Sequence, residues 1–331
     1  MVWIALDAMG GDFAPRVPVQ GALEAVRHHG CQVILVGHSD QIAQELARQP
    51  YNAQAIRVHH ASQRIEDGES PLEALRHNPE NALSLALKLV QEGQAQAVVS
   101  AGHSGAMMVA GKLVLGTLPG LERPAIATHL PLKRGFSLLL DSGANVDCKP
   151  RYLVQFAHMG ELYMRVVRQI PEPRVALLSN GSEPGKGNDL VRQAHELLTA
   201  EALRYVGYVE GRDLFRGKAD VLVTDGFAGN LVLKAIEAMA NQFRLLHKEA
   251  RTASWLGRVG YWLLEPLFRE FDRRTDFRQI GGSLLLGLNA PAVVCHGASN
   301  ARAVHNAILV ARDCALRGLV PAMAQGFSEK D

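Results

Sequence analysis

The sequence predicts an α/β protein with a mostly parallel sheet that is covered by helices on both faces. Three observations support this fold class. The chain has 331 residues and is 47% hydrophobic, which is enough to bury a large core. Its apolar runs are continuous, as in strands buried on both faces. Helical patterns follow most of these runs, and this alternation is typical of right-handed βαβ units.

Seven apolar runs are predicted as strands, and two helices between them have clear start signals. Ser39 can cap a helix that continues to about Gln49, and Ser70 followed by Pro71 favours another helix, which breaks near Asn78. The run AIATHL at 125–130 is predicted as an extra strand or a hairpin arm. The seven strands are predicted at residues 2–6, 32–36, 97–100, 137–140, 175–178, 221–224 and 292–294.

We expect residues 1–331 to form one α/β domain, because no Gly/Ser-rich or Pro-rich tract is long enough to separate independent units. The segment 244–278 differs from the rest of the chain. Trp255, Val259, Trp262 and Leu263 have helical spacing there, and eight basic residues accompany five acidic ones, a net charge of +3. This segment is predicted to be an amphipathic, Arg-rich helical excursion.

Seven clusters of Gly, Asp, Asn, Ser and His interrupt the apolar pattern, most of them directly after a predicted strand. The carboxyl ends of parallel strands open on the same edge of a sheet, so we expect these loops to meet in one crevice. Helices that begin there direct free N–H groups and a partial positive charge into it, which favours phosphate or another oxyanion. The clusters span residues 6–12, 99–105, 139–147, 178–189, 223–230, 281–289 and 294–300.

Composition excludes several classes of protein. A net charge of +2 without a long basic tract argues against nucleic acid as the main partner. The four cysteines are far apart and form no CxxC pair, which disfavours disulfides and a cysteine zinc site and favours a reducing cytoplasm. The chain lacks a signal-peptide pattern and a run of about 18 apolar residues, so we expect it to be neither exported nor membrane-spanning.

Familiar cofactor and nucleophile motifs fail in this sequence. The loop GSEPGKG at 181–187 lacks the P-loop spacing, and its Gly185-Lys186-Gly187 is not followed by the third glycine of a dinucleotide motif. His195 has Thr199 where a zinc protease would have its second histidine, and Cys295 and His296 are adjacent, which points their side chains apart on an extended chain. We expect no cofactor, no metal and no covalent nucleophile. An enzyme that uses phosphate as the nucleophile needs none of them.

Several polar residues have both a functional and a structural interpretation. Lys186, in a Gly-rich loop between strand and helix, can reach a bound phosphate or be a solvated loop lysine. Asn230 can face the crevice or cap a helix. Asp7 and Asp12 can contact a ligand or order an Asx turn, and His103 can be a base or a hydrogen-bonding surface group.

Six blocks of the sequence, in this order, resemble the bacterial acyl-ACP:phosphate acyltransferase family, PlsX, where ACP is acyl carrier protein, and they cover nearly the whole chain. The resemblance implies a Rossmann-like, three-layer α/β/α sandwich related to the phosphotransacetylase and isocitrate dehydrogenase-like architecture. It also implies a homodimer that moves a fatty acyl group from ACP to inorganic phosphate in phospholipid synthesis. The acyl phosphate would then serve a membrane acyltransferase that acts on glycerol 3-phosphate. The blocks are LDAMGGD, VSAGHSGAM, LLDSGANVDCKP, EPGKGN, YVEGRDLFRGKADVLVTDGFAGNLVLK and GGSLLLGLN to HGASN.

In this chemistry, phosphate held by loop amides and Lys186 attacks the thioester carbonyl, and Asn230 stabilises the developing oxyanion. The resemblance is imperfect at His103-Ser104, where Asn-Thr is common, so His103 is not an obligatory base. Val294-Cys295 stands where Lys-Ser often precedes the histidine, and Ala14 replaces a frequent glycine. The other candidate substrate- and phosphate-binding residues are Asp7, Gly10, Gly11, Asp12, Gly102, His103, Ser104, Gly105, Asn145, Glu183, Asp225, Gly226, Gly229 and His296.

Two other functions remain open at this point: a phosphate acetyltransferase acting on acetyl-CoA, and a noncatalytic scaffold that binds carrier protein at the membrane. The excursion at 244–278 has three interpretations, which are packing within a dimer, contact with the anionic membrane surface, and docking of the acidic carrier protein. We therefore expect a cytoplasmic protein that associates peripherally with the membrane.

Overall fold

The computed structural model describes residues 1–65, 71–133, 135–183, 185–253, 255–275 and 281–328. Within these residues, eleven strands form one sheet and eleven α-helices surround it. The strands are β1 (Trp3–Asp7), β2 (Gln32–Gly37), β3 (Ile56–His60), β4 (Ala97–Ser100), β5 (Ala125–Pro131), β6 (Phe136–Leu140), β7 (Val175–Leu178), β8 (Tyr205–Val209), β9 (Val221–Val223), β10 (Ser283–Leu286) and β11 (Ala292–Val294). The helices are α1 (Arg16–His29), α2 (Ser39–Leu46), α3 (Pro71–His77), α4 (Ala82–Gln91), α5 (Ser104–Val114), α6 (Pro150–Val166), α7 (Asp189–Thr199), α8 (Gly226–Ala253), α9 (Trp255–Thr275), α10 (Ala301–Leu316) and α11 (Leu319–Ser328).

All seven predicted strands are present to within one residue at each end, and the AIATHL run forms β5, which pairs antiparallel with β6. The helix predicted from Ser39 begins there, but His38 is its N-cap residue and the helix ends at Leu46. The helix predicted from Pro71 ends at His77, and Ser70 lies outside the described residues. Strands β3, β8 and β10 are not among the predicted strands.

The predicted fold class is confirmed, since seven of the ten strand pairings are parallel and helices cover both faces. The sheet order is β3-β2-β1-β4-β11-β10-β5-β6-β9-β7-β8. Alternate residues of each strand point to opposite faces: Ile4 and Leu6 of β1 belong to one core cluster and Ala5 to another. Helices α1, α6, α7, α10 and α11 pack on the first face, and α4, α5 and α8 pack on the second.

The expectation that all seven loops meet at one edge is wrong, because strand direction reverses in the middle of the sheet. β10 runs antiparallel to both of its neighbours, β11 and β5, and β6 runs antiparallel to β5. The loops after β1, β4 and β11 therefore lie at one edge, and the loops after β6, β7 and β9 lie at the opposite edge. The cluster at 281–289 contains β10 itself and is not a loop.

Helices α8 and α9 contain most of the predicted excursion. α8 is 28 residues long, and α9 folds back against it with Phe243 and Phe271 ring centroids 5.3 Å apart. Among the described residues, no helix has the length and apolarity needed to cross a bilayer. Parts of the predicted excursion lie outside the described residues, namely residues 254 and 276–278 and the side chains at 247, 248, 250–253, 256, 257 and 272–275.

Candidate active site

A cavity of about 460 Å³ lies between α8 and the second face of the sheet. One side of α8, from Asn230 to Arg244, forms one wall, and residues of β5, β10 and β11 form the floor. Ser104 of α5 and the turn after β11 also line it. The cavity thus connects residues from both edges of the sheet, which the strand reversal would otherwise keep apart.

The cavity exists because polar residues interrupt the apolar second face of the sheet. Along β5, Ile126 packs in the core beneath α4 and α5, and Leu130 packs in the separate core beneath α8. Thr128 lies between them on the same face, and its hydroxyl oxygen is 2.7 Å from that of Ser142 and 2.8 Å from that of Ser283. These three hydroxyls occupy the gap where the two apolar clusters do not meet.

Two helices begin near the other end of the cavity. α5 starts at Ser104, and its N-cap residue, His103, makes no side-chain capping bond. The first backbone bond of this helix is donated by Met107, so the preceding N–H groups, including that of Gly105, point out of the helix end. α10 also starts here, although Asn300 caps it by accepting from the Ala303 N–H at 3.0 Å. The free N–H groups and partial positive charge at helix N-termini favour the binding of anions.

His296 lines this end of the cavity and has a defined tautomer. Its Nδ1 accepts a hydrogen bond of 3.2 Å from the backbone N–H of Ala298. An accepting Nδ1 leaves the proton of the neutral ring on Nε2, which becomes a hydrogen-bond donor. The preceding residue, Cys295, is buried, and burial raises the pKa of its thiol to about 12. Cys295 is therefore a neutral thiol, which agrees with the expectation that it does not form a catalytic pair with His296.

Asp141 orders the loop after β6, next to Asn230. Its two carboxylate oxygens accept from the backbone N–H groups of Ile126, Gly143, Ala144 and Asn145 and from the Asn145 amide. Burial raises the pKa of Asp141, and the hydrogen bonds oppose this rise by favouring the ionised form.

Asn145 has a structural position in this loop. Its amide N–H groups are both used, one by Asp141 and one by the Pro124 carbonyl at 2.8 Å. Gly229 packs against the Asp141 carbonyl so closely that a Cβ would collide with it, so only glycine fits there. The Asn145 N–H groups are thus not free for a substrate, and Gly226 and Gly229 bring α8 close to the loop after β6.

The start of α8 decides between the two interpretations of Asn230. Asp225 precedes the helix, and its carboxylate accepts from the Ala228 N–H at 2.8 Å, which is the bond of an N-cap residue. Asn230 lies further inside the helix, so its interpretation as a cap is wrong. Its side chain is exposed, lines the cavity and lies beside Gly143. It makes no hydrogen bond to a described residue and can donate to a ligand.

A second, smaller cavity of about 150 Å³ lies on the other side of the α5 start. It contains most of the residues predicted from the first two loops, and Arg64 and Ala106 also line it. Asp12 connects these loops to the turn after β11, because its backbone N–H donates to the Gly297 carbonyl at 3.0 Å. The predicted residues in this cavity are Asp7, Gly10, Gly11, Asp12, Gly102 and His103.

Asp7 is buried and orders the loops around this second cavity. One oxygen accepts from the Ser100 hydroxyl at 2.7 Å and the other from the Met9 N–H at 3.0 Å. Burial raises the pKa of Asp7, and these hydrogen bonds oppose the rise. A Cβ on Gly10 would lie 2.7 Å from the Asp7 carboxylate and 2.7 Å from the Gly102 nitrogen, so only glycine fits there.

Lys186 and Glu183 line neither cavity. Both are exposed in the loop after β7, where the Lys186 N–H donates to the Glu183 carbonyl at 3.2 Å and the lysine stem packs against Gly181. Asn188 caps the following helix by accepting from the Val191 N–H. Lys186 shares a sheet edge with Asn230, and its contact with phosphate stays a prediction. Pro184 of this loop lies outside the described residues.

The structure brings Ser104, Asn230 and His296 into one cavity, together with floor residues that sequence reasoning missed. Ser142 and Ser283 lie in the clusters 139–147 and 281–289 but are not among the candidate site residues, and Thr128 belongs to the AIATHL run. Their contacts join positions as far apart as 128 and 283. Within the described residues, no group of three His, Cys, Asp or Glu side chains is arranged to hold a metal ion.

Comparisons with known proteins agree with this architecture. The profile of a family described as "Fatty acid synthesis protein" matches residues 2–321. The chain is 46% identical over 326 residues to the phosphate acyltransferase of Geotalea uraniireducens, covering 98% of this chain and 94% of that protein.

Two solved structures resemble the chain at low identity and therefore bear on the fold alone. A phosphotransacetylase from Streptococcus pyogenes superposes with a TM-score of 0.64 at 17% identity, covering 95% of this chain and 94% of that one. The 4-hydroxythreonine-4-phosphate dehydrogenase of Klebsiella pneumoniae gives a TM-score of 0.56 at 14% identity, covering 95% of this chain and all of that one (100%).

Proposed function

Because this chain belongs to the fatty acid synthesis protein family and is an acyltransferase, we propose that it transfers a fatty acyl group from ACP to inorganic phosphate. The products are acyl phosphate and free carrier protein, which would supply phospholipid synthesis. Membership in a family of enzymes removes the noncatalytic scaffold from the alternatives.

One observation carries this proposal: the cavity joins an unpartnered amide donor, Asn230, to the uncapped start of α5. A reaction between phosphate and a thioester needs a site for a dianion next to donors for a developing oxyanion. The N–H groups at the start of α5 suit the dianion, with the neutral Nε2–H of His296 beside them. Asn230 suits the oxyanion.

The reaction balances without a cofactor or a covalent intermediate on the protein. A phosphate oxygen attacks the thioester carbonyl carbon, and the carbonyl oxygen becomes an oxyanion that Asn230 stabilises. The carbon–sulfur bond then breaks, and the sulfur leaves with its electron pair as a thiolate. The thiolate takes the proton of hydrogen phosphate, which yields acyl phosphate and a free thiol. The protein binds, orients and supplies hydrogen-bond donors.

We assign Lys186 a supporting role in this proposal, as a mobile cation that neutralises phosphate at the cavity. Its side chain makes no ion pair with a described residue, and a lysine stem is long and flexible. Replacing Lys186 by alanine should raise the KM for phosphate and leave the KM for the thioester unchanged. An unchanged KM for phosphate would remove Lys186 from the site.

The proposal includes partners and a location in the cell. We propose a homodimer in the cytoplasm that docks acidic ACP for acyl delivery. The exposed apolar residues of α9 would hold it peripherally on an anionic membrane surface, where a membrane glycerol 3-phosphate acyltransferase would use the acyl phosphate.

A phosphate acetyltransferase acting on acetyl-CoA is the alternative reaction. It shares the phosphate and thioester chemistry, and the phosphotransacetylase from Streptococcus pyogenes has a similar fold. Fold similarity at 17% identity does not choose the acyl donor. The family's description as a fatty acid synthesis protein favours a fatty acyl donor.

The decisive experiment mixes the purified protein with palmitoyl-ACP and inorganic phosphate. Acyl phosphate is trapped with hydroxylamine as a hydroxamate, and a reaction without phosphate measures direct attack of hydroxylamine on the thioester. Phosphate-dependent hydroxamate from palmitoyl-ACP is the expected result. Product from acetyl-CoA with none from palmitoyl-ACP would establish the alternative.

A further inference from the structure

We propose that the hydroxyls of Thr128, Ser142 and Ser283 on the cavity floor form an ordered chain of hydrogen bonds. The last member, Ser283, accepts a hydrogen bond from a secondary amide N–H in the part of the substrate that carries the thiol. The inference rests on the proposed function, because it concerns how the same cavity holds its thioester. It names a specificity-determining residue, Ser283, that lies in the cluster 281–289 but is not among the candidate binding residues of the sequence analysis.

Geometry fixes the members of this chain. Thr128 on β5 is at its centre, 2.7 Å from the Ser142 hydroxyl and 2.8 Å from the Ser283 hydroxyl. The Ser142 hydroxyl lies 3.0 Å from the backbone carbonyl of Ile126. Thr128 and Ser142 are buried, whereas Ser283 is partly exposed and lines the cavity.

The number of hydroxyl protons determines which hydroxyl donates to which. Three hydroxyl protons are available for three contacts, and a carbonyl oxygen can only accept. Ser142 therefore donates to Ile126, Thr128 donates to Ser142, and Ser283 donates to Thr128. The reverse direction would leave the Ser142 and Ile126 oxygens facing each other at 3.0 Å without a proton between them.

This direction leaves Ser283 with an unused lone pair and no unused proton. Its hydroxyl oxygen makes no other hydrogen bond to a described residue, so the lone pair is available on the cavity side. The deprotonated phosphate oxygens and the thioester carbonyl are acceptors and gain nothing from it. The single P–OH of hydrogen phosphate is the competing donor, and the KM for phosphate tests for it. The arm that carries a thioester on a carrier protein has a secondary amide two carbons from the sulfur, and its N–H is a donor of the required kind.

The test compares two short thioesters of the same length with wild-type protein. S-octanoyl-N-acetylcysteamine has the amide N–H, and S-octanoyl-2-acetoxyethanethiol replaces that N–H by an ester oxygen. The readout is kcat/KM for phosphate-dependent thiol release. One hydrogen bond of ordinary strength predicts that wild type prefers the amide by roughly 3- to 10-fold. Equal values would overturn the inference.

Variants of the three hydroxyl residues show which side chain causes the preference for the amide compound. Ser283→Ala should bring the amide-to-ester ratio to about one with the KM for phosphate unchanged. Thr128→Val should also reduce the ratio, because Ser283 loses the group that takes its proton. Thr128→Ser keeps a hydroxyl at that position and should retain the preference, which a purely steric role of Thr128 would not predict. Melting temperatures of the three variants report whether each one folds.

The outcomes separate this inference from the proposed function. Absence of phosphate-dependent thiol release from both compounds and from palmitoyl-ACP would refute the proposed function. Turnover of both compounds without a preference, or a preference that Ser283→Ala retains, would refute the inference alone. A higher KM for phosphate in Ser283→Ala with both compounds would show that Ser283 contacts phosphate, which also contradicts the inference.

Discussion

Asn230 has the position and the chemistry of an oxyanion donor. We expect Asn230→Ala to lower kcat by about 10²–10³-fold, the usual loss for one such donor, because the amide is unpaired and exposed in the cavity. Steady-state kinetics with palmitoyl-ACP measure the change. The melting temperature should be nearly unchanged, since the side chain makes no hydrogen bond to a described residue. A kcat within threefold of wild type would exclude this role.

Asp141 is a second residue with a testable role, in stability and not in chemistry. Asp141→Asn replaces one accepting oxygen by an N–H₂ group that faces the backbone donors of its own loop. Buried donors without acceptors cost about 1–3 kcal/mol each, so we expect a loss of at least that size in the free energy of unfolding. Urea denaturation measures it. Asp147→Asn, at an exposed position in the same loop, is the control and should change stability by less than about 0.5 kcal/mol.

His129 makes stability depend on pH. It is buried on β5 with Nε2 2.8 Å from the Tyr163 hydroxyl, and burial, with a smaller effect of the Arg168 charge, lowers its pKa to about 3. Between pH 6.5 and 3 the unfolded chain binds a proton that the folded protein excludes. The contribution of His129 to the free energy of unfolding is therefore fully present above pH 6.5. It is lost as the pH falls from 6.5 toward 3, by about 1.4 kcal/mol per pH unit.

We expect urea denaturation between pH 7 and pH 4 to show a steeper loss of stability for wild type than for His129→Gln. The variant retains a group that can hydrogen-bond Tyr163 but removes the titrating ring. The difference between the two profiles isolates His129 from carboxylates such as Asp7, whose raised pKa has the opposite effect on the pH dependence. Parallel profiles would contradict the assignment.

At the level of single residues, the sequence indicated the loop residues and missed the floor. Ser104, Asn230 and His296 belong to polar clusters that come after strands, and this local signal is visible without a structure. Ser142 and Ser283 lie in marked polar clusters, but they meet Thr128 through pairing between strands that are distant in sequence, so no local pattern shows that the three hydroxyls come together. Lys186 is the opposite case, because it was predicted from its Gly-rich loop and lines neither cavity. The composition of a loop does not show how far the loop lies from a cavity.

Among the secondary-structure elements, α9 has the clearest unexplained surface. Trp255 is 66% exposed and Trp262 is 71% exposed, and both are on the helix that folds back on α8. Large apolar side chains with basic residues such as Arg258 and Arg269 nearby suit an interface between water and anionic lipid. The neighbouring exposed apolar residues are Val259, Leu263, Leu264 and Leu267.

We expect Trp262→Asp to reduce flotation of the protein with anionic liposomes at least several-fold, because it places a negative charge at the proposed contact. Leu316→Asp is the matched control, since Leu316 is 61% exposed on α10, away from α9. The control should float like wild type. Equal flotation of both variants would favour dimer packing or carrier docking as the role of this surface.

Two of the three strands that sequence reasoning missed, β3 and β8, share a physical cause. β3 is an edge strand with four of its five residues exposed, and β8, the opposite edge, is mostly half-buried. Neither has the continuous apolar run of a strand covered on both faces. Edge strands face water along one side, so their sequences lack the signal by which the interior strands were found.

For the whole molecule, the antiparallel pairing of β5 with β6 decides the relative direction of the two halves of the sheet. The alternation of strands and helices predicted the layers correctly, because each unit depends on local patterns. The antiparallel pair of β5 and β6 reverses the strand direction, and this is why the expectation of one common edge was wrong. The cavity along α8 nevertheless contains residues from both edges of the sheet.

The oligomeric state is a prediction for the whole molecule. We expect light scattering after size exclusion to give about 72 kDa, twice the 35.9 kDa of one chain. The exposed apolar side chains of α8, among them Leu231 and Met239, offer a surface that association would bury. Leu231→Glu combined with Met239→Glu should shift the mass toward one chain. A mass near 36 kDa for wild type at micromolar concentration would contradict the dimer.

The position of β10 and β11 in the sheet also has a consequence for synthesis on the ribosome. Among the described strands these two are translated last, and they lie between β4 and β5, which belong to the two halves of the sheet. A nascent chain that ends before residue 283 can build each half but lacks the strands that bridge them. Acyl transfer should therefore begin only after the final sixth of the chain has emerged, and interrupted translation should release fragments without activity.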